Sequence, residues 1–476
     1  MSSEVEGQTL IRNVHLAHAD ANLAKQLWDV HCLHGRVHSI VPADDGEASP
    51  TQTPEYTSVV EGEGGVLLPS LCHSHIHLDK CFILEQCDPL LTGSLPEALH
   101  VTNKAKAGFP ERQADLYDRA SRLVRESVEA GVTAMRAYVE IDTAVRMVCL
   151  DTGLRLKSEW KGICDIQIVA FAQEALYPSP ETDTPGENFL LLQQALTDPR
   201  LLAGISVVGS APWVEPTLDQ AHKNIAHILA LAQTHHLHAD FHIDYNLDVN
   251  AEPMVWETLR QMREVGWTMA STTAGHSGRR VTIGHATRLG MFSAEEWARL
   301  RKEIDELPLE IVGLPQSDIY MMGRPSTDGR RTVPLAGRTL DAARVWREHG
   351  VRVALSVNNV ENAFTPQGYV DPLTLACLGV GLFQVGTEPE WRELLRAVST
   401  TSKEAIGIQE RAHTDNDGLV PRVGDAADFA LVHEARRWQS VILSPGFDRT
   451  TIVAGKVVAK RKAVRWNALT GKAGDH

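Results

Sequence analysis

The sequence predicts an α/β protein: a (β/α)8, TIM-like barrel carrying a small β-domain assembled from both chain ends. Three observations predict it. Eight apolar, β-branched stretches alternate with helical patterns through the middle of the 476 residues. Short alternating runs of one character lie at both ends, and histidines fall where three of the eight stretches finish. Strand–helix alternation implies a parallel sheet, and eight repeats close a barrel. A doubly wound open sheet is the competing arrangement, but no GxGxxG turn follows the early strands.

The elements justify this in order. "TLIRNVHL", "WDVHCLHGRVHSIVP" and "TSVVEGEGGVLLP" are alternating runs separated by polar turns, as strands require. "GDAADFALVHEA", "SVILSP" and "TTIVAGKVVAKRKAV" repeat that character near the end. We therefore expect residues 1–62 and 419–476 to form one β-domain, split by a barrel over 63–418. The eight barrel stretches are 66–72, 132–139, 165–172, 202–208, 238–243, 280–285, 310–314 and 351–357. Between them, "ERQADLYDRASRLVRESVEAG" places Tyr117, Ala120, Val124 and Val128 on one helical face and stops at Gly131. Thr217 with Gln220, and Ser293 with Glu296, have the spacing of capping boxes. "TLDAARVWREHG" runs as a helix from Thr339 to a stop at Gly350.

Composition narrows the function. An apolar fraction of 43% supports a large core, and no apolar run reaches membrane-spanning length. The N-terminus "MSSEVEGQTL" lacks the features of a signal peptide, and the seven cysteines are scattered without a CxxC pair. A cytoplasmic protein with reduced thiols is the expectation. A formal charge of −15 disfavours nucleic acid and anionic membranes as partners and leaves a small-molecule substrate; a homo-oligomer is compatible with it. The basic run Lys456–Arg465 alternates as a solvated edge strand would.

A barrel places its chemistry at the C-terminal ends of its strands. Here those ends read "HSHIHLDK", "RAYVEID", "VAFAQE", "VVGSAPW", "DFHIDYNLD", "TIGHATR", "LPQSDIY" and "SVNNVENAF". His75 and His77 share one strand face, and His242 comes from across the barrel, an arrangement suited to zinc or iron(II). His73 shares their parity but sits one step deeper and is left outside the ligand set. Most of the 21 histidines have a plainer reading. His235, His236 and His238 read as solvated helix-terminal residues, and His276 as a loop residue without a role.

"HSHIHLDK", "DIQIVAFAQ", "DFHID", "TIGHA" and the Asn-Asn-Val turn fall in the order seen in the amidohydrolase superfamily, which the chain resembles over roughly residues 8 to 465. The likeness is to its cytosine deaminase branch, including the enzymes that hydrolyse N-alkylated triazines. It implies that the end segments form a composite β-sandwich. It also implies that His75, His77 and His242 hold one divalent metal, zinc ahead of iron. His285 would touch the bound water or substrate, and Gln173 would bind the substrate ring.

Two departures from the family pattern bear on mechanism. The strand-eight aspartate is replaced by Asn358, and the strand-five glutamate position holds Tyr245, with Asp244 before it. An amide is no base. Proton transfer then falls to His285, Asp244, Tyr245 or Asp318, while Lys80 balances an anionic substrate group or serves as an ion-pair partner. Asp318 is also a candidate substrate contact. Phe364 and Trp213 either wall the site or pack, and Met321 and Met322 form its lip or fill core. Three readings follow: a hydrolase of a C–N bond in a cyclic amide, amidine or N-heterocycle; a lyase, isomerase or cyclase on the same pocket; or a metal-free binding protein.

Overall fold

The computed structural model describes residues 8–43, 56–268, 278–324, 333–409 and 417–468. His276 lies outside them. Eight strands form the barrel sheet: Leu71–His77, Val132–Glu140, Asp165–Ala172, Ile205–Ser210, His238–Ile243, Val281–His285, Leu309–Gly313 and Ala354–Leu355. Neighbours in the chain are neighbours in the sheet. The first and eighth strands meet through a parallel bridge between Ile76 and Asn358. There the His77 N–H donates to the Asn358 carbonyl at 2.9 Å, and the Asn358 N–H to the His75 carbonyl at 3.1 Å. Both faces of such strands are covered, which is why they read as continuous apolar runs. Val132–Glu140, for example, is buried at every position.

Two expected strands differ. The run 66–72 is two elements: Val66–Pro69 pairs with Phe429–Val432 in the end sheet, and the barrel strand begins at Leu71. Ser70, in between, bonds the Asp428 carbonyl through its N–H. The eighth stretch keeps regular pairing only at Ala354–Leu355. Beyond it the chain turns, with Asn358 at φ 67°.

Arg136 fills the barrel interior. Its buried guanidinium donates to Asp240 at 3.0 Å, Thr282 at 2.6 Å, Gln167 at 3.1 Å and the Ile406 carbonyl at 3.2 Å. A charge this deep persists only when it is paired and hydrogen-bonded. Burial pushes the Asp240 carboxyl up to about 6, against the pull of Arg136.

The helix Gln113–Glu129 stops before Gly131, whose φ of 104° only glycine adopts freely. Ser293 and Glu296 form both halves of a capping box for Ala294–Glu306. Thr217 caps Leu218–Thr234, but Gln220 does not reciprocate; its amide donates to the Ser179 and Thr182 carbonyls. Asp341, not Thr339, caps Ala342–His349, which ends at Gly350 in the left-handed region. His238 is not solvated: it is half-buried at a strand start, and its Nδ1 accepts the Arg280 N–H at 3.0 Å.

The two chain ends form one sheet in the order Arg36–Pro42, Trp28–Leu33, Thr9–Leu16, Val66–Pro69, Phe429–Val432, Arg449–Val453, Lys456–Arg461, with Ser58–Glu61 also on Thr9–Leu16. Thr9–Leu16 changes partner along its length, from Ser58–Glu61 to Val66–Pro69. The sheet encloses Ile11, Val30, Leu67, Phe429, Leu431 and Ile452. Lys456–Arg461 is an edge strand, as its charge pattern indicates. Contacts divide the chain into two compact units: one holds the chain ends with Glu126–Thr133, the other Cys72–Arg125 and the chain from Ala134 to His413. Among the described residues, no helix is long and apolar enough to cross a membrane.

Candidate active site

Alternation along Leu71–His77 turns His75 and His77 to one side, and His242 enters from the fifth strand. Ring centroids lie 5.5 Å apart for His75 and His77, 4.6 Å for His75 and His242, and 5.4 Å for His77 and His242. One nitrogen from each falls within 4.8 Å of the others. All three are buried, and burial holds each imidazole well below its usual pKa of 6.5, so they are neutral ligand bases. Among the described residues, His75 Nδ1 and Nε2, His77 Nδ1 and His242 Nε2 have no hydrogen-bond partner, nor does the nearby Asn358 Oδ1. Buried polar atoms without partners are rare and call for a ligand. Several acceptor-type atoms together suit a cation, and neutral imidazoles suit zinc or iron(II). Gly284 on the sixth strand makes the room: a Cβ there would sit 2.8 Å from His75 Cε1 and 2.9 Å from its Nδ1.

His285 ends the sixth strand at φ 69°, with Ala286 at 51° after it. Non-glycine residues in this region store strain that clusters at working sites. The His285 Nδ1 bonds Asp318 Oδ1 at 2.8 Å, and Asp318 Oδ2 accepts the Thr339 hydroxyl at 2.8 Å. A carboxylate can only accept, so the neutral ring carries its proton on Nδ1 and has Nε2 as its acceptor atom. The Tyr245 ring packs on the imidazole at 3.8 Å between centroids. Burial, then the Asp318 charge, hold the Tyr245 phenol well above 10, so it stays protonated.

Two expected groups fall elsewhere. Asp244 turns at φ 56° and its carboxylate accepts the Met254 and Val255 N–H groups, capping the helix Met254–Glu264. It is spent on those orphan donors, and it does not line the cavity. Asp318 likewise does not line the cavity: it is fully buried behind His285 and positions that ring rather than substrate.

Lys80 reaches the cavity wall with its Nζ 2.8 Å from Glu140 Oε1 and 3.3 Å from Gln173 Oε1. Glu140 also accepts from Lys106, which bonds Asp142 and Glu174 in turn. Burial alone would raise the Glu140 carboxyl, but Lys106 and Lys80 hold it at about 2. A second group of metal-type donors, His77, Asp79 and Glu140, lies beside the first. Its Glu140 is already neutralised by two lysines, which leaves the three-imidazole group as the better cation site.

The cavity is lined by His77, His242, His285, Asn358, Gln173 and Lys80, and walled by Trp213, Tyr245 and Phe364. Phe364 and Trp213 do both: they wall the cavity and pack, Phe364 on the cluster holding Met321 and Met322 and Trp213 on the one holding Tyr138 and Phe171. Met321 and Met322 instead fill a cluster with Ala98, Val101 and Ala363. His73 is buried outside the ligand group, with its pKa lowered to about 4 through desolvation. Sequence reasoning missed Ser317, Asn359, Leu95 and Leu99, which also line the cavity. Only the paired asparagines at a strand end could have signalled one of them.

No family model matches the chain. Among curated proteins it is 23% identical over 439 residues to a pterin deaminase of Rhizobium rhizogenes strain K84, covering 90% of this chain and 87% of that protein. It is 21% identical over 462 residues to an N-isopropylammelide isopropyl amidohydrolase of Pseudomonas sp. strain ADP, covering 96% and 98%. The two relatives are, by name, a deaminase and an amidohydrolase. The fold agrees: 5-methylcytosine deaminase from Klebsiella pneumoniae superimposes with a TM-score of 0.76 at 19% identity, covering 96% of this chain and all of that one. An adenosine deaminase from Xanthomonas campestris, which superimposes with a TM-score of 0.59 at 14% identity over 98% of this chain and 95% of that one, was solved with bound zinc.

Proposed function

We propose that this amidohydrolase-type chain is a metal-dependent hydrolase that cleaves a non-peptide C–N bond of a small N-heterocycle, cyclic amide or amidine. One observation carries the reading: three neutral imidazoles cluster with unpartnered nitrogens, and two of them, His77 and His242, open with the Asp318-oriented His285 onto one cavity. His75, His77 and His242 would hold one divalent ion, with zinc the expected species. Such an ion acts as a Lewis acid and makes water acidic enough to serve as a nucleophile near neutral pH.

The chain's own groups do the rest. His285 Nε2 takes the proton from the attacking water and returns it to the departing nitrogen, while Asp318 stabilises the imidazolium between those events. Tyr245, protonated and packed at a tilt on that ring, donates to a developing negative charge. Asn358 cannot accept a proton and orients through its amide. Lys80 holds Gln173 by its carbonyl oxygen, which leaves the Gln173 NH2 as a donor to the ring. Trp213 and Phe364 give the cavity apolar, aromatic wall for a flat substrate.

The test pairs metal analysis of purified protein with a turnover screen of oxo- and amino-substituted pyrimidines, pterins and triazines. About one equivalent of zinc, lost in His75→Ala and His77→Ala, with hydrolytic release of an amine or ammonia, is expected. Fully active protein holding under a tenth of an equivalent of transition metal overturns the ligand assignment. Absence of any hydrolysis overturns the reaction class.

A further inference from the structure

We propose that Asn359 determines specificity, presenting an N–H donor that selects a ring oxo group and rejects an amino group at the same place. The proposal rests on the reading that a heterocycle occupies this cavity, which Asn359 lines from a position only 4% exposed.

The orientation of the Asn359 amide follows from chemistry alone. Asn362 Oδ1 accepts the backbone N–H groups of Phe364 and Thr365, both at 3.0 Å, and those groups can only donate. The Asn362 NH2 must therefore face the other way. There it donates to the Lys80 carbonyl at 3.0 Å and to Asn359 Oδ1 at 2.8 Å. The Lys80 carbonyl can only accept, so the assignment is consistent at both ends. Asn359 then has its oxygen turned into the protein and its NH2 left for the cavity. A flipped Asn359 would set two NH2 groups against each other in a site where Asn362 is fully buried.

The second amide on the wall repeats the logic. An ammonium only donates, so Lys80 fixes the Gln173 oxygen and leaves its NH2 outward. Among the described residues, Lys80, with its charge offset by Glu140 at 2.8 Å, is the only formally charged side chain on the wall. At these two places the wall thus offers neutral donors, complementary to ring carbonyls and opposed to exocyclic amino groups, while the Asn358 Oδ1 acceptor lies beside the imidazoles. Asn362 touches no substrate; it is the positioning residue that gives Asn359 its polarity.

Cyanuric acid and melamine test this, since they share a six-membered triazine ring and exchange exocyclic oxygens for amino groups. Calorimetric titration of the metal-loaded protein reads binding, with ammonia assayed in the same samples so that any heat of turnover is separated from it. Wild type should favour cyanuric acid. Asn359→Asp, which turns an acceptor into the cavity, should swing the ratio of the two affinities toward melamine by on the order of 10². Asn362→Asp should do the same from outside the cavity: its second carboxylate oxygen forces the Asn359 amide to flip. A purely structural role for Asn362 would weaken both ligands alike. An unchanged ratio in both variants, or a wild type that binds neither triazine or prefers melamine, overturns the proposal. Preference of the expected sign without hydrolysis of any ring would leave it standing and overturn the hydrolase reading instead.

Discussion

The Asp318→Asn substitution removes one charge from the site while keeping its shape. The new amide's oxygen could still accept from His285 Nδ1, and its NH2 could donate to the Thr339 hydroxyl, which takes the place of a bond now made at 2.8 Å. The tautomer and ring position are then retained, so the loss isolates the charge. With imidazolium and carboxylate charges centred roughly 4 Å apart, the attraction is about 4 kcal/mol at an effective dielectric of about 20. If expressed fully when His285 carries the proton, that is on the order of 10³ in rate. The usual range for general acid–base groups, roughly 10²–10⁴, brackets it. The assay is steady-state turnover of a ring substrate from the screen, with metal content and melting temperature matched. The expected result is a fall in kcat with KM nearly constant, because substrate does not touch Asp318. A folded, metal-loaded Asp318→Asn protein within threefold of wild type in kcat would refute the assignment of His285 as proton carrier.

Three other substitutions probe separate parts of the structure. Asn358→Asp places a carboxylate beside the three imidazoles; metal should resist a chelator at least about tenfold longer, by charge pairing, while turnover of the native substrate falls. If both values stay unchanged, Asn358 lies outside the working site. Gly284→Ala forces a Cβ within 2.8 Å of a fully buried His75, and overpacking of this kind costs about 1–3 kcal/mol; denaturation should show that loss and elemental analysis a fall in bound metal, and a variant with full metal would count against the placement of His75. His238 is held well below 6.5 by burial and by the Arg136, Arg280 and Arg279 charges. The folded state therefore binds fewer protons than the unfolded state below pH 6.5, and the stability His238 contributes above 6.5 is lost as pH falls. His238→Asn, which keeps an acceptor for the Arg280 N–H without titrating, should narrow the gap in unfolding free energy between pH 7.5 and pH 5; an unchanged gap would exclude His238 as a source of it.

Strand parity, helix period and cap residues are local properties, and the sequence by itself determined what depends on them. The barrel alternation, the pairing of the two chain ends into one sheet, the Ser293 capping box and the shared face of His75 and His77 all follow from side chains that repeat with the period of their own element. Where a short polar side chain points is not a local property, and only the tertiary structure decided it. Asp244 and Tyr245 are adjacent in sequence, yet a left-handed turn at Asp244 sends its carboxylate to a helix start ten residues on and leaves Tyr245 on the cavity. Asp318 stands behind His285 rather than against substrate because the imidazole, 33 residues away, reaches it first. The break at Ser70, which hands Val66–Pro69 to the end sheet, shows in the sequence only as Pro69 and Ser70 within an otherwise apolar run, and the pairing partner on either side of it is decided by the tertiary structure. Burial repeats along a chain and leaves a period to read. A hydrogen bond between distant residues leaves none: Lys80 orients the Gln173 amide from 93 residues away, whereas Asn362 and Asn359, three residues apart, lie within one turn.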